Sequence, residues 1–347
     1  MPPMSTAGPR TGQTGKLRVA IAWIGTALIL GYLVMTTDLR HAWEAFIEAD
    51  QFLFLGTMLW SVPLVWVADS ASVVLVLRRA GFRIGLREFL RIKGASYLLN
   101  ILNYNLALAM MAALVSRRSE RGLAASGSPF ILLNFLDLGA LGLLILAGLA
   151  AGARPFEDPG VLWTLGLFAA AGVVSGPFLC GLAQRVRPRD PAEPRAVLAR
   201  VFRRAIAHDL LLAFRRFSLA AYLRYLLLRM AFVSLYVFSN FFLLRSFSIE
   251  VPLGDLFVYQ PILAFIIFIP ISVAGLGSTQ VVMRVFYEPF VAQGLLPTAV
   301  VDAYSTSTIV MFVLMRSVIG LVSMPWVSRA LREERDPSPP PQNSEVG

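Results

Sequence analysis

Five charged side chains lie inside long apolar stretches of this chain: Asp69, Asp137, Arg229, Arg284 and Arg316. A charge at the centre of a bilayer costs about 2.5–3.5 kcal/mol on insertion scales, so such residues face a protein interior or a wet cavity, pair with each other, or serve a ligand. Asp69, Asp137 and Arg229 are candidates either for Asp–Arg pairs that neutralise one another and fix helix register or for a site, with the pair favoured for the two aspartates. For Arg284 and Arg316 two readings stand: structural ion pairs, with Asp137 or Asp69 the expected partner of Arg316, or a cationic site for an anionic headgroup. The second is chemically apt, because the planar guanidinium fork donates two parallel hydrogen bonds to a phosphate.

Two polar clusters accompany these charges. Asn100, Asn103 and Asn105 interrupt one apolar run, and amides at that depth belong against a cavity or on a broken helix end. Ser278, Thr279 and Gln280 follow Gly275-Leu-Gly277. There Ser278 or Thr279 could cap a half-helix whose free N–H groups favour an anion. The candidate headgroup site is therefore Arg284, Arg316, Ser278, Thr279, Gln280, Asn100 and Asn103. Gly275 and Gly277 alone do not complete a dinucleotide fingerprint, and no P-loop lysine follows them.

Catalytic chemistry finds no support. The chain has no Asp-rich metal motif, no Ser–His or Cys–His arrangement and no zinc-ligand spacing. Its two histidines, His41 and His208, are far apart, and its one cysteine, Cys180, excludes an internal disulfide. No enzyme activity, cofactor or metal is expected.

The elements that must hold these residues are set by hydropathy. Hydrophobic residues make up 57% of the 347, charged ones only 15%, and the mean hydropathy is +0.68. This is the composition of an all-α polytopic membrane protein. The net charge of +10 sits mainly in loops beside apolar spans, which points to anionic lipid and not to nucleic acid. Crossings are expected at 17–37, 51–77, 128–150, 161–182, 219–244 and 304–327. An acidic interfacial helix over 38–50, with Leu39, Ala42, Trp43, Phe46 and Ile47 at helical spacing, joins the first two. Residues 1–16 and 328–347 read as disordered tails flanking a single membrane domain, 17–327. Both tails are expected in the cytoplasm, with the domain in the plasma (inner) membrane.

Charge decides the fate of 94–115. It is apolar enough to cross, yet Arg78, Arg79, Arg83, Arg87, Arg91 and Lys93 precede it and Arg117, Arg118 and Arg121 follow. Basic flanks stay on the cytoplasmic side. If 94–115 crossed, the loop 184–217 with its nine arginines would face outward. The segment is therefore expected to dip in and return as a re-entrant hairpin. Charge parity leaves 256–301 as either a re-entrant loop or two short spans, and the interruption at Pro270–Gln280 favours a re-entrant segment of opposite orientation. Two such segments are how transporters build a central site. Within the basic loop, Leu198, Phe202, Ile206, Leu210 and Phe214 recur every four residues. This pattern suits a helix on an anionic inner leaflet, with packing on a partner or on the protein's own underside as the alternative.

Two motif regions carry a family resemblance. One is Ser96-Tyr-Leu-Leu-Asn100 leading to Leu114-Val-Ser-Arg-Arg118 and Asn134-Phe-Leu-Asp137. The other is Pro270-Ile-Ser-Val-Ala-Gly-Leu-Gly-Ser-Thr-Gln280. In these, and in its layout over almost the whole length, the chain resembles the transmembrane-region family of lysylphosphatidylglycerol synthase, flippase-like integral membrane proteins. It departs from the family pattern at Asn103-Tyr-Asn-Leu-Ala107, where a Pro-Gly-Glu turn is usual. It departs again at Ala274 in place of Gly and at Gln280 in place of Glu, which removes the carboxylate that a proton-coupled or cation-binding role there would need. The soluble aminoacyl-transfer domain is absent, so the resemblance implies no lysyl transfer. It implies translocation of a lipid across the membrane or, alternatively, a non-catalytic accessory role beside a lipid-modifying or glycosyltransferase enzyme.

Overall fold

The computed structural model describes residues 39–102, 104–153, 156, 158–185, 209–268 and 278–333. The expected crossing at 17–37, the tail 1–16, residues 334–347 of the other tail, Asn103, most of the 184–217 loop and the Pro270–Gly277 break lie outside them, while residues 328–333, expected to be disordered, continue the last helix. Among the described residues the fold is all-α, with a single isolated bridge between Ile249 and Val291. Five helices are long and apolar enough to cross a membrane: α2 (Gln51–Arg79), α5 (Leu123–Ala150), α6 (Pro159–Arg185), α8 (Leu219–Arg245) and α11 (Pro297–Glu333). Their outer faces carry large apolar side chains, such as Phe52, Trp163 and Val322, that are at least three-quarters exposed. Apolar surface on this scale needs lipid to cover it. The interfacial helix is present as α1 (Leu39–Glu48), with Trp43 and Ile47 exposed and Phe46 packed on Phe247.

Neighbouring spans alternate in direction, and their ends define two faces. On one, Tyr225 at the start of α8 donates to Leu75 O near the end of α2, and Gln184 at the end of α6 donates to Phe217 O. On the other, Asp50 N, ahead of α2, donates to Ser246 O, just past α8. The first face holds the ends rich in arginine and is called the basic face below.

Between α2 and α5 the chain forms two antiparallel helices, α3 (Leu86–Leu102) and α4 (Tyr104–Ser119). Arg118 near the end of α4 pairs with Glu88 near the start of α3 at 3.1 Å. Arg91 and Arg118 both lie over the ring of Trp326, at the basic end of α11. The hairpin thus begins and ends on the basic face, as the charge pattern predicts. Close packing on α11 sets its depth. A Cβ added to Gly94 would fall 2.1 Å from Ser323 Oγ, and one on Gly320 would fall 2.6 Å from Leu98 Cγ. Small residues let the two backbones approach, as is common for helices packed in lipid. Since α3 continues past Leu98 to Leu102 along a 37-residue α11, the hairpin tip reaches mid-helix.

The second interruption mirrors the first. α9 (Leu253–Phe268) and α10 (Ser278–Tyr287) flank the break, and a 3₁₀ turn (Glu288–Phe290) follows. Glu250 N donates to Phe290 O at 2.9 Å and Ala292 N to Ser248 O at 3.1 Å, so both ends of this segment meet on the face opposite the basic one. An aromatic cluster fixes it there. Tyr259 stacks on Phe286 at 4.4 Å, Tyr287 meets Tyr304 edge-on at 6.0 Å, and Gln260 donates to the Tyr287 hydroxyl at 2.7 Å. The last span starts earlier than expected, at Pro297 instead of 304, because proline is tolerated in a first helical turn.

The described end of the basic loop, residues 209–217, packs on the protein. It contains the short α7 (Leu212–Arg216). Ser128 in α5 donates to Leu210 O and accepts from Ala213 N, Phe214 is buried against Phe135, and Arg216 donates to Ala80 O. For this part, packing on the protein's own underside replaces the expected leaflet contact. The remainder of that amphipathic stretch lies outside the described residues.

Candidate functional site

Four elements converge on one buried ionic network. Arg229 of α8 donates to Asp137 of α5 at 2.5 Å, to Asp69 of α2, and to the Ser72 hydroxyl at 2.7 Å. Lys93 of α3 reaches the other oxygen of Asp69. The ring of Phe232 backs the guanidinium at 4.5 Å. Arg229 is 5% exposed and Lys93 8%. Two carboxylates and two cations balance, which is what the low-dielectric interior demands of buried charges. The sequence reading put pairing first for Asp69 and Asp137, and here both contact Arg229. It missed Lys93, assigned to the basic flank because it sits only two residues beyond Arg91. Half a helical turn decides the difference: Arg91 is exposed over Trp326, while Lys93 faces inward. The Asn134-Phe-Leu-Asp137 motif acquires a reason here as well. Asp137 holds Arg229, and Asn134, one turn earlier, accepts the Tyr104 hydroxyl from the second arm of the hairpin at 3.2 Å.

Arg284 leaves the expected headgroup site. Its Nε and Nη2 meet both oxygens of Asp302 at 2.7 and 2.6 Å, and Asp302 is 4% exposed. This bidentate pair corrects the headgroup assignment in favour of the structural one. Asp302 escaped the sequence analysis because its helix begins two turns earlier than expected, which brings the carboxylate into a span beside α10. The expected pairing of Arg316 with Asp137 or Asp69 is corrected too, since both acids are taken by Arg229.

Arg316 differs from the other buried cations. It lies half-buried on α11 with its guanidinium 5.5 Å from the Tyr97 ring and 5.4 Å from the Phe312 ring. Among the described residues it has no carboxylate or hydrogen-bond partner. Two aromatic faces hold a planar guanidinium in position and attract its charge, yet leave its N–H donors unspent. Asn100 lies one turn beyond Tyr97, near the hairpin tip, and is half-buried; Asn103 is outside the described residues.

The Ser278–Gln280 turn opens α10, with Ser278 as its first residue and Thr279 buried. Gln280 donates weakly to Thr306 of α11 at 3.4 Å, while its carbonyl oxygen and the Thr308 hydroxyl are buried with no hydrogen-bond partner among the described residues. Unsatisfied polar atoms at this depth mark the α10–α11 seam as a polar one. No group of His, Cys, Asp and Glu suited to a metal ion occurs among the described residues.

No curated protein and no solved structure matches this chain. A family model does, over residues 17–315. That stretch takes in both interrupted segments, the Asn134–Asp137 motif, Lys93 and Arg229. The chain belongs to the family described as the lysylphosphatidylglycerol synthase transmembrane region.

Proposed function

We propose that this protein is a non-catalytic membrane protein that binds an anionic lipid near mid-bilayer and passes it across. The observation carrying this reading is Arg316: a cation at mid-span whose donors have no hydrogen-bond partner among the described residues, beside the tip of one interrupted segment, while Lys93, Arg229 and Arg284 are each matched by a carboxylate. A guanidinium kept at that depth at a cost of about 2.5–3.5 kcal/mol calls for a compensating anion. A lipid phosphate supplies one, and a hydrogen bond to a charged group contributes roughly 1.5–3 kcal/mol. Two interrupted segments entering from opposite faces support passage as well as binding, because such segments line the alternating-access sites of transporters. Family membership supports a lipid-related role, although Arg316 stands one residue beyond the matched stretch. The arginine content of the basic face supports a cytoplasmic side for it, and with it for the C-terminal end of α11, in the plasma membrane.

The test is Arg316→Gln beside Arg316→Lys, each compared with the unaltered protein for acidic lipid retained through purification and for translocation of a labelled phosphatidylglycerol in vesicles. Arg316→Gln should keep its fold, lose roughly 10-fold or more in acidic-lipid affinity and slow translocation. Arg316→Lys should fall between, as a point charge replaces the fork. Unchanged retention and translocation would overturn the proposal and favour the accessory role, for which the basic face and not the core would be indispensable.

A further inference from the structure

Outside the mid-membrane site, the basic face carries an open cleft of about 900 Å³, walled by the turn from α2 to α3 and the turn from α4 to α5. Its charge is strongly one-sided. Arg78, Arg83, Arg118 and Arg121 line it with Glu120 as the acid among them, and Glu88 on the rim takes part of Arg118. Four guanidiniums against two carboxylates leave the cleft positive.

The walls are built, not loose. Gly81, at φ +84°, ends α2 with Gly81 N on Arg78 O and Phe82 N on Leu77 O, a turn that needs a residue free to adopt the left-handed region. That turn aims Arg78 at Ile84 O, at 3.3 Å, and presents the Phe82 ring to Arg121 at 4.8 Å. Arg118 is braced by Trp326 at 5.3 Å. Arg83 is exposed and makes no hydrogen bond or ion pair among the described residues. The cleft opens beside membrane-facing surface: Leu75, one turn before the end of α2, is 42% exposed, and Leu123, opening α5, is 59% exposed. Chains of lipid resting on those leucines would put their headgroups at the cleft.

We infer that this cleft is a second anion site, taking the phosphate of an anionic glycerophospholipid at the basic face, and that its occupant bridges the two ends of the first hairpin. Arg83 is the donor without a partner among the described residues, and Arg78 and Arg121 are held ready beside it. Because Arg78 and Arg83 precede α3 while Arg118 and Arg121 bracket the exit from α4, one bound phosphate ties both ends of the hairpin together. This goes beyond the Arg316 reading and does not depend on it.

Ser119 in the cleft wall supplies a local reporter, since Cys180 is buried. The full chain with Ser119→Cys, in nanodiscs, is labelled with an uncharged water-soluble thiol reagent. Three conditions are compared: phosphatidylcholine alone, phosphatidylcholine with phosphatidylglycerol, and phosphatidylcholine with glycerophosphate in the buffer. Phosphatidylglycerol should slow labelling several-fold. Arg83→Gln should raise the phosphatidylglycerol content needed for half-protection roughly 10-fold, Arg83→Lys should do so less, and Arg316→Gln should leave it unchanged. Protection by glycerophosphate as well would show that the phosphate group suffices; protection by lipid alone would show that the chains at Leu75 and Leu123 contribute. Absence of protection in both conditions, or equal protection after Arg83→Gln and Arg78→Gln, would overturn the site. Because Arg316→Gln is carried in parallel, failure of the central site and failure of the cleft give different patterns.

Discussion

Asp69 and Asp137 are both intramembrane aspartates, yet the ionic network makes their removal unequal. Asp69 serves two cations, Lys93 and Arg229, and Asp137 serves Arg229. In Asp137→Asn, Arg229 keeps Asp69 and Ser72, so the loss is one charged hydrogen bond, about 1.5–3 kcal/mol. In Asp69→Asn, Lys93 at 8% exposure loses its carboxylate contact and Arg229 loses one of two. That is the rupture of a buried pair, about 3–5 kcal/mol. Arg229→Met strands Asp137 in the same way. Reversible unfolding in mixed micelles of increasing dodecyl sulfate content should therefore rank Asp69→Asn and Arg229→Met as the more destabilised, with Asp137→Asn closer to the unaltered protein. The double variant Arg229→Met/Asp137→Asn should recover at least about 1 kcal/mol over Arg229→Met alone, since it removes the stranded carboxylate. Equal losses for the two aspartates, or strict additivity in the double variant, would refute the network.

Arg284→Gln should destabilise by about 2–5 kcal/mol in the same assay, and Arg284→Gln/Asp302→Asn should restore part of it, because the single change leaves a 4%-exposed carboxylate unpaired. Gly142→Ala should cost about 1–3 kcal/mol, since the added Cβ would fall 2.4 Å from the backbone oxygen of Ala169 and force α5 and α6 apart. Ser248→Gly should stabilise by up to about 1 kcal/mol by relieving a left-handed φ of 57° on a residue with a side chain. Single cysteines at Arg87 and Glu120, exposed at the two ends of the first hairpin, should both react with an impermeant thiol reagent only from the cytoplasmic side. Reaction of one from each side would refute the re-entrant hairpin.

Composition and loop charge were enough to read the membrane class, the five crossings within the described residues and the in-and-out course of 94–115. These are properties of segments. Insertion depends on summed hydropathy over some twenty residues, and orientation on the count of Lys and Arg at each end. The Pro and Gly run at 270–277 suggested the second interruption, which lies outside the described residues; single prolines do not suffice as a signal, since Pro63, Pro129, Pro177, Pro261 and Pro325 all stand inside helices. Pairing was a different matter. Asp69, Lys93, Asp137 and Arg229 are spread over 160 positions, and only the packing of α2, α3, α5 and α8 brings them within hydrogen-bond reach. Which face of α3 carries Lys93 inward was hidden by its neighbours in the basic run. The partner of Arg284 was hidden by a misplaced helix start at Pro297. The distinction on which the proposed function rests, between Arg284 bound to Asp302 and Arg316 held among the described residues by rings, is one of rotation and depth between helices. No residue type or spacing encodes it, because each arginine looks the same along the chain until its neighbours across the bundle are known.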